Sequence, residues 1–199
     1  MNTDIMRAPF PAVILAGGQG QRMGHVDKGL MLLGERPLLA HVIARIAPQC
    51  TDLALSVHGD TAAYRAFGLE ILSDPVEGRL GPLAGVLAAL IWAETRGERA
   101  VYTLPNDTPF LPHDLLAHLA GDPRHPTMAQ TPEHMHPTCA LWPVALRAPL
   151  ETALKEGARK LRSFACDHGG ATVQFSNEAA FFNVNTPQDL EQAEAMLRA

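Results

Sequence analysis

Cysteine is scarce in this chain: three in 199 residues, Cys50, Cys139 and Cys166, with no Cys-x-x-Cys pair among them. Neither a disulfide framework nor a zinc site can be built on that spacing, and the odd count suits a reducing compartment. No apolar run approaches the roughly 18–20 residues that cross a bilayer. Met1-Asn2-Thr3-Asp4 lacks the basic-then-apolar pattern of a secretory leader, so a cytoplasmic protein without membrane contact is expected. Clustered positive charge is missing too. The 16 Lys and Arg residues are scattered over a chain of net charge −5, which leaves no basic stripe for a nucleic-acid partner. With no internal repeat, low-complexity tract or linker, residues 1–199 are expected to form one domain.

Short apolar runs alternate with helical stretches, the pattern of an α/β fold with a mainly parallel sheet flanked by helices. Strands are predicted at Ala12–Leu15, Asp52–Val57, Leu69–Leu72 and Ala100–Leu104. Helices are predicted at Pro37–Ala47, Thr61–Phe67, Pro82–Thr95 and Pro112–Leu119, three of them opening on proline, the residue pre-set for a first helical turn. Between Gly121 and Pro143 the texture changes, with five prolines and three histidines. Two strands are predicted there, near Thr127–Gln130 and Thr138–Leu141, joined by an exposed turn. Helices near Val144–Lys155 and Leu161–Asp167 and strands at Thr172–Phe175 and Phe181–Val184 follow. A final helix opens on Thr186-Pro187-Gln188-Asp189 with Thr186 as its cap.

The segment from Leu15 to Lys28 reads LAGGQGQRMGHVDK and follows the apolar run Pro11–Ile14. A buried strand opening into a loop with four glycines and two cations is suited to polyphosphate, because glycines let backbone N–H groups turn inward as an anion-binding concavity. It is not a P-loop, since Gly24 is followed by His25 and Lys28 by Gly29; it is not a dinucleotide fingerprint, since Met23 stands where the third glycine belongs. Leu15, Ala16, Gly17, Gly18 and Gly20 are thus candidate phosphate-binding residues, with Arg22 and Lys28 as mobile positive charge.

Leu104-Pro105-Asn106-Asp107-Thr108-Pro109 sits where a strand should end, the edge at which open α/β sheets bind ligands. Asp107 is the candidate ligand for Mg²⁺, a hard cation that takes one or two carboxylates beside phosphate oxygens. Asp74, in Ser73-Asp74-Pro75, ends another strand and can accept hydrogen bonds from a guanine edge or a ribose. Asn183 and Asn185 are spaced to share one face of an extended segment, which suits a heteroatom-rich acceptor.

The string LAGG-x-G-x-RMG-x-x-DKG resembles the signature loop of nucleotidyltransferases that move a nucleoside monophosphate onto a phosphate acceptor. Its ending, Asp27-Lys28-Gly29, is similar to that of the molybdenum cofactor guanylyltransferase family. Three further strings are similar to that family: P-x-D-T-P at Pro105 to Pro109, G-P-L-A-G at Gly81 to Gly85, and N-x-N-T-P at Asn183 to Pro187. The resemblance implies a three-layer, Rossmann-like nucleotidyltransferase fold, nucleotide-binding in its N-terminal part and acceptor-binding in its C-terminal part. It implies GTP as substrate and Mg²⁺, or Mn²⁺, at Asp107. Lys28, Asp74 and Asp107 would serve the nucleotide, and Gly81, Pro82, Asn183 and Asn185 the acceptor. Where the family places an asparagine near the end of the second strand, this chain has Ser56, which offers one hydrogen bond in place of a paired donor and acceptor.

The expected reaction is guanylyl transfer from GTP to the terminal phosphate of a molybdopterin cofactor, with pyrophosphate released. Catalytic roles fall to Arg22, Lys28 and Asp107. An ionised phosphate nucleophile needs no general base, consistent with the lack of a catalytic histidine motif. Transient contact with other cofactor-biosynthesis proteins or with apo-molybdoenzymes is a further expectation. Three alternatives remain open on sequence alone: cytidylyl transfer to molybdopterin, nucleotidyl transfer to a sugar phosphate, and a non-catalytic GTP-binding escort of the cofactor. The alternating histidines of Glu133-His134-Met135-His136 show no third metal ligand and are read as an exposed loop, and Trp92 and Trp142 are read as packing residues.

Overall fold

The computed structural model describes residues 8–16, 27–73, 75 and 81–198. Its strands are β1 (Ala12–Leu15), β2 (Leu32–Leu33), β3 (Arg36–Pro37), β4 (Leu53–Val57), β5 (Glu70–Ser73), β6 (Ala100–Pro105), β7 (Thr127–Gln130), β8 (Met135–Pro143) and β9 (Ala171–Gln174). Its helices are α1 (Leu38–Ile46), α2 (Pro82–Thr95), α3 (Leu115–Leu119), α4 (Arg147–Lys155), α5 (Leu161–Asp167) and α6 (Pro187–Arg198). Seven strands form one sheet in the order β5-β4-β1-β6-β8-β7-β9, in which only β8 runs against the rest. The mainly parallel α/β expectation therefore holds.

Alternation along each strand divides the interior into two layers. Ala12 and Ile14 of β1, Leu53, Leu55 and Val57 of β4, and Tyr102 and Leu104 of β6 face one cluster, closed by Leu39, Val42 and Ile46 of α1 and by Leu115, Leu116 and Leu119 of α3. Val13, Ala54 and Val101 point the other way, against α2, α4 and α5. α2 is buried over most of its surface, as expected for a helix of Leu, Ala, Val and Ile with no polar stripe. A smaller cluster of Leu33, Leu38, Val184 and Ala193 joins the hairpin of β2 and β3 to α6.

Several predicted boundaries move, each for a local reason. Pro37 pairs with Leu32 in the hairpin and α1 begins one residue later. The segment Ala62–Phe67 is a 3-10 helix ended by Gly68 at φ 69°, since six residues between strands are too few to repay α-helix nucleation. Helix α3 starts only at Leu115, and Val144–Leu146 forms a separate 3-10 turn before α4. Thr138–Leu141 is the middle of a longer strand, so Met135 and His136 belong to β8 and not to a loop. No strand forms at Phe181–Val184. A 3-10 turn at Glu178–Phe181 ends there, and Val184 donates one hydrogen bond to the Asp107 carbonyl, 2.9 Å away. Both sides of β6 are already taken by β1 and β8, so this segment can bond only past the strand's end.

Gln49 is 1% exposed and stitches three pieces together. Its Nε2 donates to the carbonyls of Arg45 (2.8 Å) and Pro112 (2.9 Å), and its Oε1 accepts from Leu116 N (3.0 Å), serving as the cap of α3 from outside the helix. Leaving such buried partners unpaired costs about 1–3 kcal/mol. Gln49→Leu is accordingly expected to lower the unfolding free energy by about that amount, read as a lower urea midpoint at unchanged slope.

Candidate active site

The first connection carries the chain from β1 to β4 on one side, and the connection through α2 brings it back to β6 on the other. β1 is thus the switch point of the sheet, where the connections diverge and a crevice opens outside the carboxyl ends. A cleft of about 260 Å³ lies there, lined by Leu15, Ser56, Asn106, Asp107, Thr138 and Asn183 and floored by Gly81, Pro82 and Gly85. The predicted site residues Leu15, Ser56, Gly81, Pro82, Asp107 and Asn183 are thereby brought together. Ala16 ends the strand beneath them, its N–H bonded to the Ser56 carbonyl at 2.7 Å. Gly17, Gly18, Gly20, Arg22 and Asp74, all named from the sequence, lie outside the described residues.

The entry to α2 depends on two glycines. Gly81 adopts φ 68° and ψ −161°, a conformation essentially reserved for glycine, and Pro82 then takes the first helical position. At Gly85 a Cβ would stand 2.9 Å from Leu15 Cδ2 and 3.1 Å from Ser56 Oγ, so only glycine lets α2 lie this close to β1 and β4. Gly81 at the cap position has no side chain to cap α2, and the Ala84 N–H turns back to the Gly81 carbonyl at 3.2 Å.

Lys28 is not among the lining residues but stands beside one of them, Asp107. It opens a 3-10 turn, Lys28–Leu30, capped by Asp27, whose Oδ1 accepts from Gly29 N at 3.2 Å. Gly29 is pressed against the loop after β6: a Cβ there would sit 2.6 Å from Asn106 Nδ2. The lysine ammonium donates to Asn185 Oδ1 and stands 3.7 Å from Asp107 Oδ2. Asn185 Nδ2 in turn donates to Asn183 Oδ1 at 2.8 Å. The backbone of Asn185 is held separately: Asp189 Oδ2 accepts from the N–H groups of Asn185 (2.9 Å) and Thr186 (2.8 Å), while Thr186 Oγ1 accepts from Asp189 N. This reciprocal cap agrees with the predicted helix start, and it leaves the Asn185 side chain free to reach the lysine.

Asp107 is buried, and burial is the largest influence on its carboxyl, raising its pKa; the Lys28 charge and the Lys28 and Asn183 hydrogen bonds pull less strongly the other way. Among the described residues its Oδ1 has no hydrogen-bond partner, nor has Asn106 Nδ2. Unpartnered polar atoms on two neighbouring cleft residues are costly without a ligand. An unpartnered carboxylate oxygen beside space for phosphate is the donor that a hard divalent cation requires.

Sequence reasoning missed Asn106 and Thr138 as lining residues. Asn106 was adjacent to the predicted Asp107 and its orphaned amide carries no sequence signal. Thr138 reaches the cleft because the pairing of β7 with β8 jumps between Met128 and Ala129, an irregularity that no short motif announces. The alternating histidines do acquire an acidic neighbour: Glu178 Oε1 lies 2.8 Å from His134 Nδ1, and Glu133 is within reach. None of these three lines the cleft. His136 stacks on Phe181 at 4.5 Å. Trp142 is core, its Nε1 donating to Thr103 Oγ1, and Trp92 is buried under Arg96.

A switch-point cleft that sets a lysine against a buried carboxylate is the working arrangement of a nucleotide-handling α/β enzyme, and comparison with known proteins makes the class specific. Residues 12–171 match the model of the MobA-like NTP transferase domain, and the chain belongs to that family. It is 45% identical over 188 residues to the molybdenum cofactor guanylyltransferase of Cereibacter sphaeroides, covering 94% of this chain and 96% of that protein. It is 47% identical over 195 residues to the protein of the same name from Rhodopseudomonas palustris strain HaA2, covering 94% and 91%. Its fold is similar to the crystal structure of molybdopterin-guanine dinucleotide biosynthesis protein A from Archaeoglobus fulgidus, with a TM-score of 0.74 at 24% identity over 95% of this chain and 99% of that one. The chain is accordingly an enzyme of the nucleotidyltransferase class.

The raised Asp107 pKa makes the ligand-free protein pH-sensitive in a defined direction. Below the unfolded value of 3.8 the carboxyl is neutral in both states; as pH rises towards the higher folded value, the unfolded chain ionises first and stability falls. Asp107→Asn is neutral throughout. It is therefore expected to melt above the wild type at pH 7.5, with the difference shrinking towards pH 4, in thermal scans without nucleotide or metal.

Proposed function

We propose that this enzyme transfers GMP from GTP to the terminal phosphate of a molybdopterin cofactor, forming molybdopterin guanine dinucleotide and releasing pyrophosphate. The observation that carries this reading is near-full-length identity of 45–47% to proteins named molybdenum cofactor guanylyltransferase, together with the facing pair Lys28 and Asp107. The acceptor phosphate oxygen would attack the α-phosphorus in line as pyrophosphate departs, a reaction that asks for positioning and charge neutralisation more than for covalent help.

Lys28 would leave its hydrogen bond to Asn185 and neutralise charge developing on the leaving pyrophosphate, with Arg22 and the amides of Gly17, Gly18 and Gly20 holding the β- and γ-phosphates. Asp107 would hold Mg²⁺, or Mn²⁺, through the oxygen that lacks a protein partner; the cation supplies Lewis-acid stabilisation of the phosphate oxygens. Ser56 and Asp74 would contact the nucleotide, and Gly81, Pro82, Asn183 and Asn185 the acceptor. Product would pass to apo-molybdoenzymes or their assembly partners by transient contact. No described helix is long and apolar enough to cross a membrane.

The test is pyrophosphate release with molybdopterin acceptor and each of GTP, CTP and ATP. Activity confined to GTP supports guanylyl transfer; activity with CTP makes the enzyme a cytidylyltransferase, and nucleotide binding without pyrophosphate release makes it an escort. Lys28→Ala is expected to lower kcat about 100-fold or more with the fold intact. GTP with Mg²⁺ at about 100 times its dissociation constant adds roughly 2.7 kcal/mol, a rise of roughly 5–10 °C in Tm for a chain of this size, and Asp107→Ala should remove the part of that rise that depends on Mg²⁺.

A further inference from the structure

Tyr64 belongs to none of the sequence motifs. It lies in the 3-10 helix between β4 and β5, 2% exposed, with its ring packed near Phe67 in the cluster beneath β1 and β4. Its hydroxyl reaches out of that apolar layer to two oxygens remote from it in sequence. It donates to the Asp27 carboxylate and lies 3.2 Å from the Ala16 carbonyl. Ala16 and Asp27 are the residues on either side of the glycine-rich segment 17–26. One phenol therefore touches both stems of that segment.

Contact with Asp27 is also contact with the lysine turn. The second Asp27 oxygen accepts from Gly29 N at 3.2 Å, and Gly29 is packed against Asn106, next to Asp107. A path of hydrogen bonds runs from Tyr64 through Asp27 to the turn that carries Lys28, and Gly29 of that turn packs on Asn106 just past the end of β6. Burial raises the Asp27 pKa while the Tyr64 and Gly29 hydrogen bonds oppose it, so the phenol is one of the few groups that make a carboxylate tolerable at this depth.

We propose that Tyr64 is a positioning residue for nucleotidyl transfer: its hydroxyl clasps Ala16 and Asp27, and so sets where Lys28 stands relative to Asp107. The inference rests on the role assigned to Lys28 under the proposed function. Loss of the hydroxyl leaves the packed ring in place and releases the clasp, and a displacement of about 1 Å in a charge-stabilising group can cost up to about 100-fold in rate.

The test is the kinetics of pyrophosphate release from GTP and acceptor for Tyr64→Phe, Lys28→Ala and the double variant, with Asp27→Asn and Asp27→Ala as a second pair. Tyr64→Phe is expected to lower kcat about 10-fold or more with KM for GTP changed less than about 3-fold. In the Lys28→Ala background the same change should have almost no effect, because the clasp acts through the lysine; a merely structural tyrosine would lower both backgrounds alike. Asp27→Asn should retain most activity. Its amide oxygen still accepts from Gly29 N, and its amide nitrogen can donate to a Tyr64 hydroxyl whose proton has turned to Ala16. Asp27→Ala has neither bond and should fall with Tyr64→Phe, and this pair decides the matter if Tyr64→Phe does not fold. Wild-type kcat in Tyr64→Phe, equal losses in both lysine backgrounds, or equal activity of the two Asp27 variants would each overturn the clasp while leaving the Lys28 assignment standing. Undiminished turnover in Lys28→Ala would overturn that assignment and the clasp with it.

Discussion

β1 is hydrogen-bonded on both sides to parallel strands, β4 and β6, and this one constraint organises the rest of the molecule. Parallel pairing forces the three strands to end at the same edge. Ala16, Ser56 and the loop from Asn106 therefore emerge together, whatever their separation in sequence. The connections diverge at β1, and a crevice is left at that edge. Helix α2 then approaches from the other layer as closely as backbone allows, because Gly85 removes the side chain that would collide with Leu15 and Ser56.

The cleft so formed is polar at a cost. Burial raises the Asp107 pKa, and among the described residues neither its Oδ1 nor the neighbouring Asn106 Nδ2 has a hydrogen-bond partner. At Gln49 and in the Trp142–Thr103–Thr138 relay each buried donor finds an oxygen, whereas Tyr102 Oη and Arg147 Nε have no hydrogen-bond partner among the described residues. Of the unpartnered buried polar atoms, Asp107 Oδ1 and Asn106 Nδ2 are the two whose residues line the cleft, where a ligand would complete the bonding.

Lys28, Asn185, Asn183 and Asp107 form a continuous polar line beside the cleft, drawn from three separated parts of the chain. Two of its members come from a segment that is tied to the sheet by a single backbone bond, Val184 N to Asp107 O, and anchored at its other end by the cap of α6. The asparagines thus face the lysine without joining the sheet.

Composition, alternation and motif were enough to determine the α/β class and most element positions, and they named six of the residues that line the cleft. Alternating apolar residues declare which strands are buried on two faces, and the strings around Lys28, Asp107 and Asn183 are local and carry their own chemistry. The helices Pro82–Thr95 and Leu161–Asp167 were legible to the residue because their apolar pattern is local, with Pro82 marking the start of the first and Gly169-Gly170 following the second. The exceptions were settled by neighbours distant in sequence. Phe181–Val184 has a strand-like composition, but β6 had no free edge to offer it. Thr138 enters the cleft through a pairing irregularity. Tyr64 meets Ala16 and Asp27 only because β4 lies beside β1. A hydrogen bond between remote residues has no periodicity to betray it, so these contacts were decided by tertiary packing alone.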